Sequence, residues 1–575
     1  MTEFFQNPPV LGNQYDGDSV LRRYLARRLP PEMLAEIEPD LRRFGARVVG
    51  DVQAMADDAN THEPRLVSFD PWGRRIDRIE TARGWQELDG VSAEEGLIAI
   101  AYERKFGPLS RVYQFAKLYL FNPSSATYSC PLAMTDGAAR LLEVMRDEEL
   151  LAGAFARLTS RDPDRFWTSG QWMTERAGGS DVGRSETVAR HDRGAWFRLF
   201  GAKWFTSATT AQMAITLARI EDAAGNTVAG SRSLGLFYLE TRDAAGDLNG
   251  IFIDRLKDKL GTRSLPTAEL RLDGARAKLL GQPGDGVRNI ATLVNVTRLH
   301  NALGAAAGMR RGLALARDYA SRRHAFGKLL IDHPLHAETL SNLAIEFEAA
   351  FHITFRAVEL LGREECGTAS ADETALLRLL TPLAKLYTAR QAVASASEVL
   401  ECFGGAGYVE DTGLPRLLRD AQVLSIWEGT TNVLSLDVLR AIEKSDAFRP
   451  FLAEIDETLS SVTLGELGPA VDSAREAAKR LSGYLPVALA EGREFQEAGA
   501  RAFAFGVARL AAASLLIDEA QWACRADGDG RGIAVAQRWC DRALAPLVTA
   551  GRDWRAQSQA LARDLPLRDA KLQTP

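Results

Sequence analysis

Between Asp18 and about Ser160, apolar residues recur at helical spacing among Ala, Arg and Glu, with breaks at Gly90, Gly107-Pro108, Pro123 and Pro131. This pattern predicts short helices joined by loops. It changes near Asp162-Pro163. From residue 167 to 281 the apolar runs are short and β-rich, as at Ala195-Trp196-Phe197-Arg198-Leu199-Phe200 and Gly235-Leu236-Phe237-Tyr238-Leu239. Glu269-Leu270-Arg271-Leu272-Asp273 alternates with period two, so a small β domain is predicted. At Gly286 the helical period returns, with Ile290, Leu293, Val294 and Leu299 on one face. Gly304, Ala305, Ala306, Ala307 and Gly308 then allow close helix approach. Further helices are predicted over 338–361, 371–403 and 432–442. The stretch 445–450 reads as a boundary, followed by another Ala-rich helical region broken at Gly465, Gly468-Pro469, Gly483 and the Gly-rich run 526–532. The expected domains are 1–166 (helical), 167–285 (β), 286–444 (helical bundle) and 445–575 (an additional helical domain).

Length agrees with this division, since 575 residues exceed what one hydrophobic core organises. With 46% hydrophobic and 25% charged residues the composition is that of an ordinary soluble protein. A formal net charge of −6 argues against a surface coated in positive charge, though not against a local basic patch. No uninterrupted apolar stretch reaches the length of a membrane span. Residues 1–9, with Glu3, Gln6 and Asn7, lack the basic start and apolar run of a signal peptide. The five cysteines are scattered and odd in number, which fits free thiols in a reducing cytoplasm. His333 and His336 flank Pro334 with no cysteine near, so a surface loop is expected there rather than a metal site.

Three segments carry candidate chemistry. In Met173-Thr174-Glu175-Arg176-Ala177-Gly178-Gly179-Ser180-Asp181, small residues bring the backbone close to a ligand and Thr174 and Ser180 offer hydroxyls; a plain turn is the alternative. In Gly201-Ala202-Lys203-Trp204-Phe205-Thr206-Ser207, a Trp beside a hydroxyl suits a flat ring, unless Trp204 is simply core. In Ser425-Ile426-Trp427-Glu428-Gly429-Thr430-Thr431-Asn432, a carboxylate between an aromatic and a Gly is placed to be desolvated into a base; a solvated capping loop is the alternative.

Together these segments resemble the acyl-CoA dehydrogenase family. The flavin loop Thr-Glu-x-x-x-Gly-Ser-Asp is met at Thr174 to Asp181, and the strand motif by Lys203, Trp204 and Thr206. Arg-x-x-Phe-Gly is met by Arg323, Phe326 and Gly327, and Phe-Gly-Gly-x-Gly-aromatic from Phe403 to Tyr408. The Arg-Asp pair before aromatic-Glu-Gly-Thr is met by Arg419, Asp420, Trp427, Glu428, Gly429 and Thr430. Taken singly, Arg323 reads as a surface ion-pair partner and Gly404-Gly405 as a helix cap; five motifs in order are specific. The resemblance reaches to about Lys444. The run Arg255-Leu-Lys-Asp-Lys-Leu-Gly-Thr-Arg-Ser264, the Ser-Ile-Trp-Glu-Gly sequence and the extra C-terminal region resemble the AidB branch.

The resemblance implies a mainly α fold with a central β domain: helical, β-barrel and four-helix bundle, plus extra C-terminal helices. It implies FAD and oxidation of an acyl-CoA to the trans-2-enoyl thioester. Glu428 would take the α-proton while the β-hydride passes to the flavin, with the thioester carbonyl polarised by the Glu428 amide and a flavin hydroxyl. Thr206 would hydrogen-bond the flavin, Trp204 would lie against it, and Met173, Thr174, Gly179 and Ser180 would hold ring edge and pyrophosphate. Arg323, Phe326, Glu401, Gly404 and Gly405 would reach the adenine-diphosphate end from a neighbouring subunit, with Thr430 and Asn432 as further cofactor contacts. That sharing implies a homotetramer, and the chemistry an electron-transfer flavoprotein as acceptor. Some relatives carry the base on the helix where this chain has Thr297-Arg298; a threonine cannot serve, which favours Glu428. Glu401 replaces a frequent Gln, Asn295 a frequent Asp and Arg176 a frequent Pro. The competing functions are an AidB-like flavoprotein of weak turnover that binds DNA or sequesters acyl-CoA, and a flavin oxidase of a non-CoA substrate. For DNA, residues 445–575 hold 16 basic and 18 acidic residues, but 531–571 carry eight basic against four acidic.

Overall fold

The structure is a computed structural model that describes residues 7–548 and 552–566. Glu3 and Gln6 of the N-terminal reading, and Arg568, Asp569 and Lys571 of the basic run, lie outside the described residues. The contact pattern divides the chain into two units. One holds the chain up to Leu377 with Thr388–Thr430; the other holds Arg378–Tyr387 with the chain from Thr431 onward.

In the first unit the N-terminal helices follow the apolar spacing. Met33, Ile37, Leu41 and Phe44 of Pro31–Arg47 are buried at near four-residue intervals. The sequence predicted only helices and loops in this region, whereas it also contains an antiparallel hairpin, β1 (Arg65–Phe69) and β2 (Arg75–Glu80). The cause is local: Asp70 accepts from the Trp72 and Arg74 amides, and Gly73 takes a left-handed φ of 82°, closing a turn between two β-rich runs.

The β domain is a closed sheet. Its strands are β3 (Ser169–Trp172), β4 (Val188–Arg193), β5 (Trp196–Ser207), β6 (Met213–Ile220), β7 (Leu234–Glu240), β8 (Ile251–Leu256) and β9 (Thr267–Leu280). The ring runs β6-β4-β5-β9-β7 and back to β6, with β3 added on β6 and β8 on β9. Closure leaves the ring itself without an unpaired edge. Along β6, Ala214 and Ala218 pack with Trp172, Phe197 and Phe237, while Met213, Ile215 and Leu217 pack with Leu141, Leu142 and Leu293 from helices. Both faces of this strand are therefore covered, which is why Met213–Ile220 reads as one continuous apolar run.

The helices Gly286–Ala320 and Pro334–Glu365 follow, and Ala371–Cys402 carries a capping box in which Ser370 and Glu373 satisfy each other's amides. Arg111 on Leu109–Phe121, Asp136 on Ser129–Met145 and His300 on Gly286–Ala320 meet in the interior. Arg111 Nη1 lies 2.7 Å and His300 Nε2 2.7 Å from Asp136 Oδ2, locking three helices together.

In the second unit, Arg493–Asp527 packs against Gly468–Glu491, Arg531–Cys540 and Thr431–Ser445. By length and composition it is long and apolar enough to cross a membrane, but 72% of its apolar window is buried in the protein. Arg509 and Asp518 interrupt its sequence, so no unbroken apolar run announced it.

Candidate active site

Glu428 sits in the turn between the helix Pro415–Leu424 and the helix that begins at Thr431. Its φ is +56° and that of Gly429 is +105°, so the chain turns sharply on two left-handed residues. The helix Gly286–Ala320 supplies the clamp. Asn301 accepts from the Trp427 indole N–H and donates to the Leu424 carbonyl at 3.0 Å, tying the start of the turn to its Trp427. One turn earlier, Thr297 donates to Glu428 Oε2 at 3.0 Å, and Arg298 Nε lies 3.3 Å from the Glu428 carbonyl oxygen. The two positions that the resemblance offered for the base thus meet at one place, with Thr297 at one and Glu428 at the other. Burial pushes the nearby Cys130 thiol up to about 12, with Lys259 working against the rise and the Glu428 charge adding to it.

The loop 173–181 is fastened to β5. Glu175, 3% exposed, accepts from Lys203 Nζ at 2.7 Å, from Thr187 Oγ1 at 2.6 Å and from the Glu186 amide. Burial opposes the Glu175 charge, but Lys203 and these donors outweigh it and hold the carboxyl below its usual range. The Trp204 amide donates to the Thr174 carbonyl at 2.9 Å. A Cβ at Gly179 would lie 2.7 Å from Thr174 Oγ1, so a side chain there would have to displace Thr174. Met173 and Thr174 are half-buried; Gly179 and Ser180 are exposed. Thr206 is fully buried, and its hydroxyl donates to the Ala268 carbonyl at 2.7 Å.

Trp204 is half-buried beside two cations: Lys257 Nζ lies 3.4 Å and Arg176 Cζ 5.3 Å from its ring centre. Lys257 is also 2.6 Å from Glu269. Both belong to segments singled out in the sequence, yet their meeting at Trp204 depends on a fold-back that periodicity does not show. The same run places Gly261 where a Cβ would meet the Arg419 carbonyl carbon at 2.5 Å, and the Thr262 amide donates to Asp420. Lys259 donates to the Thr262 and Leu265 carbonyls, and burial brings its ammonium down to about 8.

Phe326, with φ +49°, is 98% exposed, and Tyr408 is 91% exposed. Arg323 is half-buried, while Glu401, Gly404 and Gly405 lie on the surface. A Cβ at Gly404 or Gly405 would touch nothing within 4 Å, whereas Gly407 is required by the Leu400 carbonyl at 2.1 Å. Thr430 is exposed at the end of the Glu428 turn. Asn432 lies in the second unit, where Arg501 approaches its side-chain oxygen at 3.5 Å. Of the predicted basic run, Arg531 and Arg563 are exposed, but Arg542 lies over the Trp539 ring and Arg555 over the Phe495 ring.

Family models cover most of the chain. The acyl-CoA dehydrogenase middle domain matches residues 170–275 and its C-terminal domain residues 284–443. The N-terminal domain of the adaptive response protein AidB matches residues 6–165, and the acyl-CoA dehydrogenase 11 C-terminal domain-like model residues 446–567. Acyl-CoA dehydrogenase family member 11 of Caenorhabditis elegans is 44% identical over 570 residues, 97% of this chain and 92% of that protein. The chain belongs to the acyl-CoA dehydrogenase family. Within the family, the putative acyl-CoA dehydrogenase AidB of Escherichia coli is 34% identical over 404 residues, covering 69% of this chain and 72% of that one. The crystal structure of Caenorhabditis elegans ACDH-11 in complex with C11-CoA superposes with a TM-score of 0.94 at 42% identity, covering 98% of this chain and 97% of that one. The acyl-CoA dehydrogenase of Bacillus anthracis, complexed with FAD, shares the fold at 19% identity and a TM-score of 0.71 over 97% of this chain and 96% of that one.

Acyl-CoA dehydrogenase family members bind FAD. The residues present fit that group. The exposed Gly179 and Ser180 leave a polar rim open, a half-buried Trp204 borders it, and Gly404 and Gly405 are bare where side chains would find room. Thr206 is the exception among the expected contacts, because its hydroxyl proton is committed to Ala268.

Proposed function

We propose that the chain is an FAD-dependent acyl-CoA dehydrogenase with Glu428 as its base, oxidising a saturated acyl-CoA to the trans-2-enoyl thioester. FAD, when bound, supplies the acceptor for the β-hydride. The chain's part is to hold a carboxylate in place for the α-proton. The observation that carries this is the Glu428 turn, with its left-handed backbone and its clamp by Asn301. A half-buried carboxylate on such a turn is a restrained group rather than a floating surface charge.

Met173, Thr174, Gly179, Ser180 and Trp204 are the residues we assign to the flavin end, with Thr430, in the Glu428 turn, as a further contact. The exposure of Phe326 and Tyr408 supports a homotetramer in which Arg323, Phe326, Glu401, Gly404 and Gly405 serve a neighbour's cofactor, since large apolar side chains so bare are at home in an interface. An electron-transfer flavoprotein would reoxidise the flavin. The matched segments 6–165, 170–275, 284–443 and 446–567 support domain boundaries near 166, 285 and 444.

The test is anaerobic mixing of the holoprotein with butyryl-, octanoyl-, undecanoyl- and palmitoyl-CoA. Bleaching of the flavin is expected with at least one. Tight binding without bleaching would instead identify a sequestering protein, and oxygen consumption with a non-CoA substrate an oxidase.

A further inference from the structure

We propose that Thr297 is a positioning residue whose hydroxyl serves Glu428 in both of its protonation states. The inference deepens the reading of Glu428 as base and rests on it. Thr297 is 3% exposed, and its single hydroxyl proton has two acceptors at 3.0 Å, Glu428 Oε2 and the Val294 carbonyl of its own helix. One proton cannot serve both at once. While Glu428 is ionised, the charged acceptor is the stronger one, so the hydroxyl points to the carboxylate and holds it in one rotamer. Once the carboxylate has taken a proton, the demand reverses. The new O–H can donate to Thr297 Oγ1, and the Thr297 proton turns to the Val294 carbonyl.

The step balances without any further reactant. The α-proton would move to Glu428 and the electron pair of the Cα–H bond would become the Cα–Cβ π bond, with FAD, when bound, as acceptor of the β-hydride. Thr297 only rotates about Cβ–Oγ1. The buried Thr297 hydroxyl keeps an acceptor for its proton in either state, which avoids the cost of an orphaned group. Near this carboxylate stand Arg298, whose Nε lies 3.3 Å from the Glu428 carbonyl oxygen, and the buried Cys130, whose thiol feels the Glu428 charge. The threonine at this position therefore has a task of its own, in a place where some relatives carry the base itself.

The test uses holoenzyme variants and an acyl-CoA that bleaches the wild type, with and without α-deuteration. Thr297→Val keeps the shape and removes the hydroxyl. It is expected to slow flavin reduction by about 10–100-fold, the scale of a hydrogen bond to a charged group. The α-deuterium isotope effect should rise and KM should stay within about twofold. Thr297→Ser should restore the rate to within about threefold, because the hydroxyl and not the methyl is invoked. Thr297→Ala gives a second reading if the valine variant fails to take up FAD. Full speed in Thr297→Val, or equal loss in Thr297→Ser, would overturn the proposal while an inactive Glu428→Gln leaves the base reading standing. Full speed in Glu428→Gln would remove the base reading itself.

Discussion

Lys203 Nζ lies 2.7 Å from Glu175 Oε1, and the two side chains are 0% and 3% exposed. Burial brings the Lys203 ammonium below its usual range and Glu175 works against that fall. The pair ties the loop 173–181 to β5, so it stands behind the proposed flavin contacts rather than among them. Glu175→Gln leaves a buried ammonium without its charge partner and should cost about 3–5 kcal/mol. Replacing both, with Glu175→Leu and Lys203→Met, removes the unpaired ammonium but should recover only part of that stability and not FAD retention, because the Glu186 and Thr187 donors lose their acceptor. Denaturant midpoints and FAD per subunit measure the two effects separately.

Glu428→Gln should keep FAD and the fold while slowing acyl-CoA-driven flavin reduction by roughly 10²–10⁴-fold, the range for loss of a positioned base. Stopped-flow bleaching under anaerobic conditions measures it. Equal rates in variant and wild type would place the base elsewhere.

Much of the helical pattern was legible because one buried face per helix leaves a period, as in Pro31–Arg47. The motifs were legible because glycine and a few polar residues at set spacing announce a close approach. The hairpin β1–β2 escaped because its strands are five and six residues long and lie within a helix-rich stretch. The closed ring was expected from the family resemblance but not from periodicity, because β6 pairs with β3, β4 and β7 through a register that no single segment records. The partners of the candidate site escaped for the same reason. Trp427 was read only as the aromatic beside Glu428, and nothing local names its partner Asn301, 126 residues away. Thr297 was noticed only as a residue unable to be a base.

Glu95 is 3% exposed among Arg43, Arg47 and Lys117. Burial alone would raise its carboxyl, but Arg43 and Lys117 outweigh burial and bring it from 4.5 to about 2. A depressed carboxyl contributes stability above its unfolded value and loses it as pH falls toward the folded one. The stability of the first unit should therefore decline from about pH 4.5 to about pH 2, more steeply in wild type than in Glu95→Gln. Thermal unfolding followed across that window checks it. Glu95→Gln should already be less stable at neutral pH, and a parallel pH slope in both proteins would exclude Glu95 as the cause.

Sedimentation of the wild type should show a tetramer. Phe326→Ser, which removes a ring that is 98% exposed in the isolated chain, should shift the assembly toward smaller species and lower FAD affinity together. A monomer that retains FAD tightly would contradict the shared site.

The left-handed turn at Glu428 also has a consequence for protein engineering and for drift under mutation. A non-glycine residue in that conformation carries about 1–2 kcal/mol of strain that glycine would not. Glu428→Gly is therefore the kind of change a screen for heat resistance would reward, and it would remove the very carboxylate proposed to do the chemistry. Thermostability and turnover pull this single position in opposite directions, so a library sorted on melting temperature alone should enrich inactive chains there.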